Sequence, residues 1–288
     1  MSTPLQESSI TLGSQKLAVK IYGDANLPSI IALHGWCDNA ASFDLLAPML
    51  SHVRIIAVDL PGHGFSSSRN SDAGYYIWSN VADVMAIADY FQLETFSLLG
   101  HSMGGAIATL LAALFPSRIN KLLLLDAVGP LSTSQEDAPN QMLRALEQLQ
   151  TLKPDYHNHY ADFGSAVNAR AEKGLTQQAA TILGKRGIVQ DELGYYWNLD
   201  ARLQCVNLLS LTEEQVAVFI RQIQCACLLI AAPSYWQDNR KAWFDQRCTY
   251  FHDLVVYELP GGHHQHLEGQ VEAVAALINN FLGYRFFS

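Results

Sequence analysis

The sequence predicts an α/β fold, a mostly parallel sheet with helices on both faces and a helical insertion that caps it. Three observations carry this expectation. Short runs that are apolar throughout, such as Ser29-Ile30-Ile31-Ala32-Leu33 and Arg54-Ile55-Ile56-Ala57-Val58-Asp59, read as strands buried on both faces. Helical patterns separate such runs from one another. After Gly129-Pro130 the alternation stops, and residues 131–210 are polar, rich in Gln, Asn and Ala, with no strand-like run.

Taken in order, residues 8–23 read as two strands joined at Gly13-Ser14. The Ser29–Leu33 run ends in His34-Gly35, and the Arg54–Asp59 run in Leu60-Pro61-Gly62-His63-Gly64, both turn-forming sequences. Residues 76–91 place Ile77, Val81, Val84, Ile87 and Ala88 on one helical face. Thr95–Leu99 is a further strand, Gly105–Phe115 a helix stopped by Pro116, and Lys121–Asp126 another strand. Thr212-Glu213-Glu214-Gln215 is a capping-box sequence that starts a helix. The sheet resumes at Cys225–Ala231, Leu254–Leu259 is the last strand, and Val271–Phe281 a closing helix. The expected division is a core of residues 1–130 and 211–288 with a cap of residues 131–210.

Composition narrows the function classes. The 288 residues are 49% hydrophobic and 16% charged, enough for a sizeable core and against disorder. A net charge of −9 argues against a nucleic-acid partner. Five cysteines (Cys37, Cys205, Cys225, Cys227 and Cys248) form no framework spacing, so buried free thiols in a reducing compartment are expected. The Met1–Glu7 stretch lacks a basic and an apolar region of the signal-peptide kind, and no apolar run reaches membrane-spanning length. A cytoplasmic protein is the expectation.

The chemistry concentrates at Gly100-His101-Ser102-Met103-Gly104, a G-x-S-x-G sequence between a strand and a helix. That context makes a nucleophile elbow, in which a strained turn lifts the serine above the sheet beside a helix N-terminus. A serine there could also serve as a helix N-cap. As a nucleophile it needs a general base, and Ser, unlike Asp, favours acyl transfer. The base must come late in the chain, where His263, His264 and His266 compete. No carboxylate or cysteine falls at ligand spacing around these histidines, so no metal is expected there.

His34-Gly35, Asp59–Ser66, Gly100–Gly105 and Gly262-His263 together resemble the α/β-hydrolase superfamily in order and spacing over nearly the whole chain. Asp126–Leu131, Asp200-Ala201-Arg202-Leu203 and Gly262–Leu267 resemble its serine-hydrolase-like subgroup. The resemblance implies an α/β-hydrolase fold with an eight-stranded, mostly parallel sheet, a helical cap, no cofactor, and attack by Ser102. It points to His263, directly after Gly262, as the base. The family's usual acid position, after the Cys227–Ala231 strand, holds Ala232-Pro233-Ser234-Tyr235, with Tyr235 where Asp is expected. The candidate acids are therefore Asp126, a position some members of the superfamily use, and Asp238.

An oxyanion hole needs two donors. The backbone N–H of Met103 is one by position, and that of Trp36, after His34-Gly35, is the other; the Trp36 indole is expected to wall the pocket. His34 and the Asp59–Ser66 loop are expected to be structural, and the His101 side chain to point away from the acyl site. The expected substrate is a small apolar carboxylic ester or thioester, with Tyr195, Tyr196, Trp197, Tyr235, Trp236 and Trp243 suggesting an aromatic lining. The alternatives are a hydrolase of C–C bonds in vinylogous diketones, with Arg144 and Arg202 as carboxylate-holding candidates against a plainer reading as solvated surface, and a non-catalytic binding module. The oligomeric state is left open.

Overall fold

Eight strands form one sheet in the order β1-β2-β4-β3-β5-β6-β9-β10 in a computed structural model describing residues 5–70, 73–153, 157–233, 236 and 239–284. The strands are β1 Leu5–Leu12, β2 Gln15–Tyr22, β3 Ser29–Leu33, β4 Arg54–Val58, β5 Phe96–His101, β6 Ile119–Leu125, β9 Ala226–Ala231 and β10 Leu254–Glu258. Strand β2 runs antiparallel to β1 and β4, and the remaining pairings are parallel. This is an α/β-hydrolase fold with a mostly parallel sheet. The runs that are apolar throughout become β3, β4 and β5, whose interiors are buried because helices cover both faces.

One face of the sheet packs against α1 (Ile77–Tyr90), α2 (Met103–Leu114), α6 (Glu213–Arg221) and α7 (Asn239–Cys248), through Val84, Ile107, Ile220 and Phe244 among others. The other face packs against α8 (Val271–Leu282) and two short 3-10 turns, through Phe43, Leu46, Val274 and Ile278. Each fully buried Leu or Ile in these layers contributes about 1.5–3 kcal/mol. The α6 helix opens with the expected capping box, Thr212 and Gln215 each bonding the other's backbone. Among the described residues no helix is long and apolar enough to cross a membrane.

The segment between β6 and α6 departs from the expectation. It carries α3 (Ala138–Thr151), α4 (Phe163–Ala171) and α5 (Gln177–Gly187), but also an antiparallel hairpin of β7 (Ile188–Asp191) and β8 (Gly194–Trp197). The insertion is therefore not purely helical. Strands of four residues are too short for a period-two pattern to stand out. The hairpin is also fixed from outside: Tyr160 and Tyr195 exchange backbone hydrogen bonds of 2.8 and 2.9 Å. A Cβ on Gly194, at φ +132°, would meet the Tyr160 carbonyl at 2.5 Å.

Several cross-links hold the insertion to the core. Buried Arg186 pairs with buried Asp59 at 2.9 Å. The Trp36 indole donates to Leu203 O at 2.9 Å. Arg202 binds Asp200 and donates to the carbonyls of Arg69, Asn70 and Ala73.

Candidate active site

Ser102 sits between β5 and α2 at φ +50°, ψ −113°, a conformation that L residues rarely adopt. The neighbouring glycines explain how the turn closes. A Cβ on Gly100 would lie 2.5 Å from Gly104 O, and one on Gly104 only 2.0 Å from Leu33 O. The elbow therefore nests against the end of β3, and a side chain at either position would force it out. Ser102 does not cap α2 with its side chain. Its hydroxyl makes no hydrogen bond among the described residues, to His263 or otherwise; serine–histidine contacts in free enzymes are often long and tighten on substrate.

Asp126 follows β6 at φ +50° and is buried. Its Oδ1 accepts the Ala232 N–H at 2.9 Å and the Trp236 indole N–H at 2.5 Å. Its Oδ2 faces His263 Nδ1 in a close hydrogen bond. A carboxylate can only accept here, so Nδ1 carries the ring proton and Nε2 is left as the basic nitrogen. Trp236 is a participant the sequence did not single out for this role; it comes one residue after Tyr235, the position of the family's usual acid. Asp238 and Tyr235 lie outside the described residues.

The other histidines are engaged elsewhere. His266 Nε2 lies 2.8 Å from Ser42 Oγ, and burial holds its imidazole down at about 3. His264 Nε2 donates to Asp38 Oδ2 at 3.1 Å. His34 accepts the Leu60 N–H at Nε2 and donates from Nδ1 to Gly35 O, which ties down the loop after β3; burial lowers its pKa to about 4. His101 points away from the cavity and donates from Nε2 to the His263 carbonyl at 3.0 Å. Asp38 corrects one expectation: a carboxylate does adjoin the histidine loop, reaching it from the segment after β3 rather than from nearby sequence.

Ser102, Met103, Asp126 and Trp36 line one cavity of about 1340 Å³. The Met103 amide is the first of α2, so it has no partner within the helix. Further walls come from Trp78, Leu131, Leu149, Leu209 and Leu211, with Trp236 and Trp243 at the core side. Tyr195, Tyr196 and Trp197 do not line it; the Trp197 indole instead bonds Ala166 O at 3.0 Å within the insertion. Arg202 is not a solvated surface residue, because its guanidinium is consumed by Asp200 and three carbonyls. Arg144 is exposed and lines the cavity.

An eight-stranded sheet of this order, with a strained serine elbow and a carboxylate-bound late histidine, defines a class of hydrolases. The chain belongs to the α/β-hydrolase fold family, whose model matches residues 28–209. It is similar to the serine hydrolase-like protein of Danio rerio, 30% identical over 284 residues covering 93% of this chain and 85% of that protein. A crystal structure of a hypothetical protein from Pseudomonas aeruginosa PAO1 is 35% identical, with a TM-score of 0.90 over 96% of this chain and 99% of that one. The thioesterase domain from the curacin biosynthetic pathway is 25% identical, with a TM-score of 0.83 over 96% of this chain and 99% of that domain.

Proposed function

We propose that this chain hydrolyses carboxylic esters or thioesters through an acyl-enzyme on Ser102. The observation that carries the reading is the Asp126–His263 pair beside an elbow serine that opens on the cavity. Ser102 Oγ attacks the acyl carbon while His263 Nε2 takes the hydroxyl proton. Asp126 holds the tautomer that leaves Nε2 basic and stabilises the imidazolium. The N–H groups of Met103 and Trp36 receive the developing oxyanion. His263 then returns the proton to the departing alkoxide or thiolate. Water attacks the acyl-enzyme with His263 again as base, and the acid leaves.

The cavity supports a substrate with an apolar acyl part, since leucines and tryptophans supply much of its wall. A thioester leaving group is supported by the likeness to the curacin thioesterase domain. C–C bond hydrolysis is less favoured, because Arg202 has no free donor geometry for a substrate carboxylate and leaves Arg144 alone in that role. The test is turnover of short p-nitrophenyl esters and labelling by a fluorophosphonate probe. Both are expected in the parent protein and absent in Ser102→Ala. Retained turnover in that variant would overturn the reading, and unlabelled parent protein would favour a binding module.

A further inference from the structure

Behind the loop that carries His263 lies a second cluster of ionisable groups. Asp38 and His101 are fully buried, while His264 keeps a 16% exposed side chain. One ligand atom from each of the three lies within 4.8 Å of the others. Asp38 Oδ2 is 3.1 Å from His264 Nε2 and 3.7 Å from His101 Nδ1.

The protons make this arrangement unusual. His101 Nε2 meets the His263 carbonyl, which can only accept, so the neutral ring carries its proton on Nε2 and its Nδ1 is a bare lone pair. That atom is buried and has no hydrogen-bond partner among the described residues. It faces a carboxylate oxygen, another electron-rich atom, in a site of low polarity. A buried carboxylate oxygen and a buried lone pair thus converge at 3.7 Å.

We propose that Asp38 Oδ2, His101 Nδ1 and His264 Nε2 bind a divalent transition-metal ion of the zinc class. Zinc bonds of about 2.0–2.1 Å in tetrahedral geometry separate ligand atoms by roughly 3.3 Å, between the two distances found here. Two imidazoles and a carboxylate suit zinc rather than magnesium or calcium. The outer contacts are those of a ligand set. His101 donates its other N–H to a backbone carbonyl, and Asp38 Oδ1 accepts from Arg170 at 2.9 Å, which leaves Oδ2 for the ion. His264 now donates its Nε2 proton to Asp38, so binding moves that proton to Nδ1 or releases it to solvent through the exposed edge of the ring. The fourth position falls to water entering past His264.

The ion would join the segment after β3, the end of β5 and the histidine loop. His264 adjoins His263, and His101 holds the His263 carbonyl, so occupancy would pin the base from two sides without touching Ser102. This regulatory consequence rests on the proposed hydrolase mechanism; the binding itself does not.

The test titrates the chelator-stripped full chain with Co²⁺ alone, read by visible absorption of tetrahedral cobalt and by Tm. One equivalent is expected to bind, displaced by Zn²⁺, with a raised Tm. Asp38→Asn strands Arg170 and can fail to fold, so His264→Gln, at the exposed edge, is the deciding variant. It is expected to weaken binding at least about tenfold. His263→Ala is expected to keep the cobalt spectrum, which separates this site from the Asp126–His263 pair. No stoichiometric cobalt binding, binding unchanged in His264→Gln, or binding lost in His263→Ala would each overturn the proposal. None of these readouts needs turnover, so their failure is distinct from inactivity of Ser102.

Discussion

Asp126→Asn is the sharpest perturbation of the proposed mechanism, because the surrounding donors dictate which way the new amide must point. Oδ1 accepts two fixed donors, the Ala232 N–H and the Trp236 indole N–H, whereas among the described residues Oδ2 meets only His263. Were the amide NH2 placed at the Oδ1 position, two buried N–H groups would face a donor, costing about 1–3 kcal/mol each. The amide oxygen therefore stays at Oδ1 and the NH2 faces His263 Nδ1. That nitrogen must then accept, so the ring proton moves to Nε2, and His263 can no longer take the Ser102 proton. In serine proteases the same substitution lowers kcat about 10⁴-fold through the wrong tautomer, equivalent to about 5.5 kcal/mol of barrier. A loss of that order in kcat for p-nitrophenyl ester hydrolysis is expected, with Tm near the parent value. Activity above a tenth of the parent's would refute the assignment of Asp126 and shift attention to another carboxylate.

Other perturbations follow from the same geometry. Ser102→Gly is expected to abolish ester turnover yet raise stability by about 1–2 kcal/mol, since the φ +50° conformation strains any residue with a Cβ; an unchanged or lower urea midpoint would count against that strain. Arg247→Met removes a fully buried guanidinium that pairs with Glu213 and donates to Val128 O and Pro130 O, the loop following Asp126. A loss of about 3–5 kcal/mol in chemical unfolding is expected, and a loss below 1 kcal/mol would refute the role of this bracket. Acid should destabilise the fold through His34, His63 and His266, which burial holds at about 4, 3 and 3. The unfolded chain takes up these protons near pH 6.5 while the folded one does not, so stability falls as pH drops below that value, by up to about 1.4 kcal/mol per pH unit for each histidine. Urea midpoints that stay flat between pH 6.5 and 4.5 would show that these rings are not buried and neutral.

The core strands were legible because the physics that buries them is local. Five-residue apolar runs bounded by His34-Gly35 or by Leu60-Pro61-Gly62 leave few alternatives to a covered parallel strand. The elbow was legible for the same reason: Gly100 and Gly104 are demanded by contacts within the turn and with the adjoining strand end. Features set by distant contacts were not. The β7–β8 hairpin owes its register partly to Tyr160, and its aromatic residues pack within the insertion instead of lining the cavity. Asp38 meets His264 across 226 positions of sequence, so spacing around the histidine loop could not reveal it. Trp236 binds Asp126 across 110 positions and read as a pocket aromatic.

Under the proposed hydrolase function, the uneven anchoring of the insertion predicts where substrate selection resides. Its α4 and α5 helices are fastened to the core by Arg170–Asp38 and Arg186–Asp59, pairs whose acids are fully buried and whose breakage would leave a buried charge. Helix α3 is different. Its neutral bonds run from Gln141 to Asn207 O and Ser210 Oγ, both within the same insertion. Met142, Leu143, Leu146 and Leu149 are exposed on it, and Leu149 lines the cavity together with the exposed Leu131 and Leu209. An element with few ties to the core and uncovered apolar side chains can shift at low cost, and an apolar acyl chain entering beside it would cover what is now exposed. Changes in α3 should therefore alter acyl-chain preference with little effect on folding. Changes at Arg170 or Arg186 should do the reverse, because those ties hold the loops on which Trp36 and the histidines stand.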